Sequence, residues 1–217
     1  MCRMFSPLVE RHIKRKARKN HQSLPDHYRQ ILSDAVSGYR EEGYKVVYSW
    51  LWDAGGKVPN ASSSIPGVIL VNSEWAFRLV MHEGDGEITD AFKMTMGHEI
   101  THQENDYFFV EPFTNAGKFV YWVNELHADY GGIVKAFDGD VLRGIRSMEF
   151  KRDCKGTRDK DHRTHPSWKN RIGFVSGYDF DSSLIRIIAR MTGCGDMGLV
   201  NRVCNHYNAI ALRRNMK

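Results

Sequence analysis

Residues 98–102 have the sequence His-Glu-Ile-Thr-His, an HExxH motif whose residue types and spacing suit metal-assisted hydrolysis. On an α-helix, residues i and i+4 share a face, so both imidazoles can bind one Zn²⁺ ion. Glu99 lies to the side of the pair, where it can act as general base toward a water molecule at that metal. The alternative interpretation is a polar helix with two surface histidines.

A catalytic zinc takes three protein ligands and one open position, so a third ligand must come from elsewhere in the chain. Residues 124–132 (NELHADYGG) carry Glu125 and Asp129 at positions i and i+4. Glu125 would complete a set of two histidines and one glutamate. Asp129 would accept a hydrogen bond from the non-ligating nitrogen of one histidine and fix its tautomer. Without the HExxH motif, the two carboxylates would indicate only a solvated helix stripe, with His127 on another side.

The segments GHEITHQE (97–104) and NELHADYGG (124–132) resemble the gluzincin peptidases, in particular the family of the HtpX membrane proteases and the CAAX prenyl protease. The segment THPSWKNRI (164–172) is similar to the His-Pro and Arg-Ile elements of that family. The resemblance covers about residues 68–175, and the three motifs agree in order and spacing. It implies a soluble zinc metalloendopeptidase with an α+β, zincin-like fold.

The resemblance also implies roles for particular residues. Glu99 would be the general base and later the proton donor, and Asp129 would support a ligand histidine. His165 would stabilise the oxyanion of the tetrahedral intermediate, and Arg171 would orient its loop through the carboxylate network. Without the resemblance, the alternative for His165 is a surface loop histidine, and the alternative for Arg171 is an ordinary salt bridge. The zinc ligands would be His98, His102 and Glu125.

The membrane members of that family carry transmembrane helices, whereas the longest apolar run here is five residues, Phe119–Val123. The resemblance therefore favours a soluble, minimal enzyme and says little about lipidated substrates. The cytoplasmic ImmA-type proteases share HExxH and a downstream acid, but the His-Pro motif fits them less well. Zincins bind substrate along an edge strand beside the motif helix, and the candidates here are residues 67–72 and 75–81.

Hydrophobic periodicity and turn residues indicate an α+β order, in which a helix and a few strands precede several helices. We expect a basic arm over 1–25 and one zincin-like domain over 26–217, with a small mixed sheet packed on the active-site helix and a mainly helical C-terminal part. Loops are predicted over 53–64 and 150–166. The predicted strands are 44–52 and 67–72, and the predicted helices are 26–42, Thr89 or Asp90 to about Glu104, 116–137 with an interruption at Gly131-Gly132, 182–192 and 197–213.

The net charge of +5 is concentrated at the N-terminus, since residues 1–20 hold seven Lys or Arg and one Glu, and the remainder has a net charge of −1. A body without excess positive charge argues against nucleic-acid binding by the fold. The arm can still contact nucleic acid or an acidic partner, and the alternative interpretation of the arm is a solvated helix end or tail. We expect a protein or peptide substrate and no membrane insertion. The absence of a signal peptide and of a cysteine framework predicts a cytoplasmic location.

Two further functions compete with a zinc endopeptidase. One is a latent or degenerate zinc-binding fold that acts as a regulatory module through its basic arm. The other is an iron oxygenase with two histidines and one carboxylate. Glu99 argues against both, because neither needs a general base at that position. Cys194 and Cys204 can pair if their region folds back.

Overall fold

The computed structural model describes residues 24–49, 58–109, 111 and 113–215, and in this part of the chain the fold is α+β. It is mostly helical with a small three-stranded sheet. The chain divides into two compact units, residues 1–92 and 93–217. The predicted basic arm over 1–25 falls almost entirely outside the described residues, and the single domain over 26–217 stays a prediction. None of the described helices is long and apolar enough to cross a membrane.

The first unit is built on a mixed sheet with the strand order β1-β3-β2. Strand β3 is central, parallel to β1 and antiparallel to β2. Asn72 joins this strand to the next helix, because its side-chain oxygen accepts a hydrogen bond from the backbone N–H of Trp75 at 3.2 Å. The elements are α1 (Asp26–Asp34), α2 (Ser37–Glu41), β1 (Lys45–Ser49), β2 (Ala61–Ile65), β3 (Val68–Asn72) and α3 (Ser73–Met81).

The predicted strand over 67–72 is confirmed as β3, but neither candidate for a substrate-binding edge strand is an edge strand. Strand β3, the candidate over 67–72, has hydrogen-bonded neighbours on both sides, so no edge is left for a peptide. The candidate over 75–81 is helical. The predicted loop over 53–64 is also wrong where strand β2 begins at Ala61, because its serine-rich sequence becomes a strand by pairing with β3. The predicted 44–52 strand is observed as β1 up to Ser49, and residues 50–52 lie outside the described residues.

The predicted helix over 26–42 is two helices, α1 and α2, with a break at Ala35 and the fully buried Val36. Helix α4 begins at Gly86 and continues into the second unit. Asp85 caps it rather than Thr89 or Asp90, since its side chain accepts hydrogen bonds from the first backbone N–H groups.

The second unit is helical in its described part, and α5 is its central helix. The predicted interruption at Gly131-Gly132 is absent, since α5 continues to Phe137. The predicted loop over 150–166 is wrong up to Lys155, where α6 ends. Cys194 and Cys204 lie buried in one core and form no disulfide. The helices are α4 (Gly86–Asn105), α5 (Asn115–Phe137), α6 (Val141–Lys155), α7 (Trp168–Gly177), α8 (Ser182–Thr192) and α9 (Met197–Asn215), with a short 3₁₀ turn at Gly156–Arg158.

Three glycines let α4 and α5 approach closely where the motif residues lie. A Cβ atom at Gly97 would lie 3.1 Å from the backbone of Gly132, and a Cβ at Gly132 would lie 3.1 Å from the backbone nitrogen of His98. A Cβ at Gly131 would lie 2.4 Å from the side chain of Thr101. Thr101 is fully buried and hydrogen-bonded to Gly97, so it has little freedom to move away. This crossing brings the HExxH segment against the helix that carries Glu125.

Gly131→Ala is expected to lower the free energy of unfolding by about 1–3 kcal/mol, because the added methyl group overpacks the crossing. Gly173→Ala in α7 is the matched control, since no neighbouring atom lies within 4 Å of a Cβ there. That change should stabilise the protein by about 0.5–1 kcal/mol through helix propensity. Urea unfolding at a fixed zinc concentration measures both variants. Equal stability of the two would contradict the close crossing.

Candidate metal centre

Three side chains on α4 and α5 point their polar atoms at one location. His98 and His102 lie one turn apart on α4, and their Nε2 atoms are 3.0 Å apart. The carboxylate of Glu125 on α5 lies 3.6 Å from Nε2 of His98 and 3.4 Å from Nε2 of His102. Metal–ligand bonds of 2.0–2.1 Å in a tetrahedral site place ligand atoms about 3.3 Å apart. These three side chains can therefore hold a metal ion.

The chemistry of the donor set also fits a cation. Asp129 lies 3.0 Å from Nδ1 of His98, and Asp106 lies 2.8 Å from Nδ1 of His102. An ionised carboxylate only accepts hydrogen bonds, so each Nδ1 carries a hydrogen and each Nε2 atom is the ring nitrogen that a metal ion at the centre would bind. Oε2 of Glu125 is buried and accepts no hydrogen bond from the residues that the structure describes. A metal ion at the centre would take one ligand atom from each of the three side chains.

Burial opposes the charged form of His102, but the hydrogen bonds that it donates to Asp106 and Glu125 outweigh it and raise its pKa well above the usual range. Burial likewise opposes the charged form of Glu125. The positive charge that His165 carries when it is protonated, the charge of Arg171 and the hydrogen bond of His102 nevertheless hold the pKa of Glu125 well below its ordinary value. Both shifts describe a centre that favours positive charge next to an ionised glutamate.

Arg171 on α7 connects two carboxylates of α5. Its Nε donates to Asp129 at 2.7 Å, its Nη1 lies 3.1 Å from Oε2 of Glu125, and its Cζ lies 3.9 Å above the ring of Trp168. Burial raises the pKa of Asp129, but the guanidinium of Arg171 outweighs this and lowers it. Asp129 is thus ionised, and it holds the ring of His98 in a fixed orientation.

His165 lies beside the three ligand residues on the loop before α7. Its Nε2 is 3.2 Å from Oε1 of Glu125, and its side chain is 54% exposed. The Thr164 hydroxyl lies 2.7 Å from Nδ1, so it can donate there and leave Nε2 as the donor. Glu125 favours protonation of His165, but burial and the charge of Arg171 outweigh it and lower its pKa. A neutral imidazole at the edge of the site can donate one hydrogen bond.

The loop that carries His165 is held by hydrogen bonds at the start of α7. Asp161 accepts from the backbone N–H of Ser167 at 2.7 Å, and Asp159 accepts from the backbone N–H of Trp168 at 2.8 Å. The indole of Trp122 on α5 donates to the carbonyl of His162 at 2.9 Å. These contacts fix the loop against α5, so the position of His165 does not depend on its own side-chain contacts.

Glu99 is buried on α4, next to His98. Lys151 of α6 is also buried, and burial lowers the pKa of its amine to about 7 although the Glu99 carboxylate opposes this shift. Lys151 and Arg171 both lie over the ring of Trp168, at 5.9 Å and 3.9 Å. Both basic groups interact electrostatically with the Glu99 carboxylate, which is predicted to act as the base.

All seven predicted site residues fall in one region of the second unit, and sequence analysis missed two more. Asp106 had a usable signal, because it follows His102 by four residues and helical spacing brings them together. Lys151 had none, since its segment is charged throughout and was predicted to be part of a loop. His127, on another side of α5, is buried against Phe180 and Tyr207.

No protein-family model matches the chain, and no curated protein or solved structure matches it either. What can be inferred about function therefore comes from the side chains themselves and from the motifs in which they occur.

Proposed function

We propose that this chain is a zinc-dependent endopeptidase of the gluzincin type, with a zincin-like fold. The observation that carries the proposal is the convergence of His98, His102 and Glu125 on one point, with each histidine backed by its own carboxylate. Two imidazoles and one carboxylate at tetrahedral separations are the ligand set of hydrolytic zinc sites. Zinc bound there lowers the pKa of a water molecule and polarises a carbonyl group.

The residues around the ligands supply the acid–base chemistry of the proposal. Glu99 accepts the proton of the attacking water and then donates it to the leaving amine nitrogen. His165 turns its Nε2–H from Glu125 toward the carbonyl oxygen of the substrate, where negative charge develops. Arg171 holds Glu125 and Asp129 in place, and its charge keeps both ionised. Three different helices and one loop thus contribute to a single reaction centre.

The proposed substrate is a protein or peptide, and the proposed location is the cytoplasm. A latent zinc-binding module remains the competing function from the sequence, but the basic arm it needs lies outside the described residues. The presence of Glu99 beside the ligands favours catalysis, because a purely structural zinc site needs no general base.

Zinc content tests the ligand set directly. Protein purified without chelators should contain about one zinc ion per chain, and His102→Ala should contain less than about a tenth of that. His27→Ala is the control, since this exposed histidine pairs with Glu83 in the first unit. Casein digestion by the wild type should stop on zinc removal and return on zinc addition. A wild type that neither contains nor takes up zinc would rule out the metal site.

A further inference from the structure

The connection between α4 and α5 carries two exposed phenylalanines beside the metal centre. Among the described residues, Phe108 (83% exposed) and Phe113 (82% exposed) are the most exposed large apolar side chains. A single exposed apolar residue needs no explanation, but two on one short connection next to a candidate site indicate an interaction surface. We call them the phenylalanine pair.

The backbone beside Phe108 is held firmly, so its exposure is built into the fold. Asn124 of α5 binds both backbone groups of Tyr107, at 3.2 Å to the nitrogen and 3.1 Å to the oxygen. The hydroxyl of Tyr121 donates to the carbonyl of Phe109 at 3.3 Å. The side chains of Tyr107 and Phe109 pack on the core, and Phe108 between them faces solvent. A partner that packs on Phe108 therefore meets a preordered backbone.

One end of the connection contacts a candidate metal ligand, and the other end contacts the loop that carries His165. At its start, Asp106 lies 2.8 Å from Nδ1 of His102. At its end, the guanidinium of Arg163 donates to the carbonyl of Phe113 at 2.6 Å, and Arg163 precedes His165 by two residues. The connection that carries the phenylalanine pair is therefore anchored at one end to a candidate metal ligand and at the other to the loop of the proposed oxyanion donor.

We propose that the phenylalanine pair is the substrate-recognition surface of the enzyme, and that it binds extended peptide segments with large apolar side chains. This inference rests on the proposed peptidase function. A membrane surface fits less well, because Asp106 and the exposed Glu111 place negative charge on the same connection and would be repelled by anionic lipids. In the bound peptide, apolar side chains pack on the phenylalanine pair, and the adjacent part of the peptide reaches the metal centre.

Peptide affinity in a non-hydrolysing background tests this directly. Zinc-loaded Glu99→Gln protein would be titrated with two short fluorescent peptides of equal length and charge, one with a central Leu-Phe-Leu and one with Ser-Ser-Ser. We expect the apolar peptide to bind at least about tenfold more tightly, since two buried aromatic contacts supply that difference. Adding Phe108→Ser and Phe113→Ser should reduce the preference to less than about twofold. Leu142→Ser is the matched control, because Leu142 is 69% exposed at the start of α6.

Two results would overturn the inference. One is equal binding of both peptides, or a preference unchanged by the double substitution. The other is a protein that sediments as a dimer and becomes monomeric when both phenylalanines are replaced, since a second copy would then occupy the surface. Failure of the peptidase function is distinguishable, because it would leave the peptide preference intact while the zinc-loaded protein with Glu99 restored cleaves neither peptide nor casein.

Discussion

Glu99→Gln should lower kcat/KM for peptide hydrolysis by about 10³-fold while the zinc content stays at the wild-type value. Glutamine has the size of glutamate but cannot accept a proton from water. Glu99 is not among the three converging ligand residues, so its replacement leaves the metal site intact. Lys151 and Arg171, whose charges interact with the Glu99 carboxylate, lose that interaction, but both remain buried against Trp168. The loss should therefore appear in kcat rather than in metal binding.

Glu104→Gln on the same helix separates this effect from a general loss of charge. Glu104 is exposed and pairs with Lys135 at 3.0 Å, away from the converging ligands. The peptidase activity of the Glu104→Gln protein should match that of the wild type. Zinc content by mass spectrometry and casein cleavage by peptide release would be measured on the same preparations. A Glu99→Gln protein with more than about a tenth of wild-type activity would remove Glu99 from the role of general base.

The candidate site was predictable from sequence to the extent that its residues occur at helical spacings. His98 and His102 are four residues apart on one helix, and so are Glu125 and Asp129, so each pair shares a face wherever the helices lie. What periodicity cannot give is the distance between the helices. That distance depends on Gly97, Gly131 and Gly132, whose missing side chains allow the close crossing, and the sequence alone suggested that two of them interrupt the helix.

The fold was less predictable where tertiary contacts override local sequence. Strand β2 is rich in serine and forms because β3 offers hydrogen bonds along one edge. Helix α6 begins after Asp140, whose side chain caps it, but its many charges resemble a solvated loop. Lys151 in that helix becomes buried beside Trp168, a contact between residues 17 positions apart that no local pattern indicates. Strand β2 and helix α6 therefore both depend on contacts with residues that the local sequence pattern does not indicate.

Arg171→Met should lower the free energy of unfolding by about 3–5 kcal/mol, because it leaves two buried carboxylates without their positive partner. Arg171 is 4% exposed and contacts Asp129, Glu125 and the ring of Trp168. Methionine fills part of the volume and keeps the apolar contact with the ring, so the loss reports mainly the unpaired charges. Arg171→Lys should lose less stability than Arg171→Met but still be less stable than the wild type. An ammonium group cannot bridge two carboxylates in the planar geometry of a guanidinium.

Urea unfolding of zinc-free protein would measure these changes, with Arg152→Met as the matched control. Arg152 also pairs with two carboxylates, Glu149 and Asp153, but on the surface of α6, where water screens the interaction and little stability should be lost. Combining Arg171→Met with Asp129→Asn should cost less than the sum of the single changes, because the neutral amide no longer needs a charged partner. If Arg171→Met lost no more stability than Arg152→Met, the buried carboxylates would have to be neutral. Asp129 could then not act as the ionised acceptor that orients His98 for metal binding.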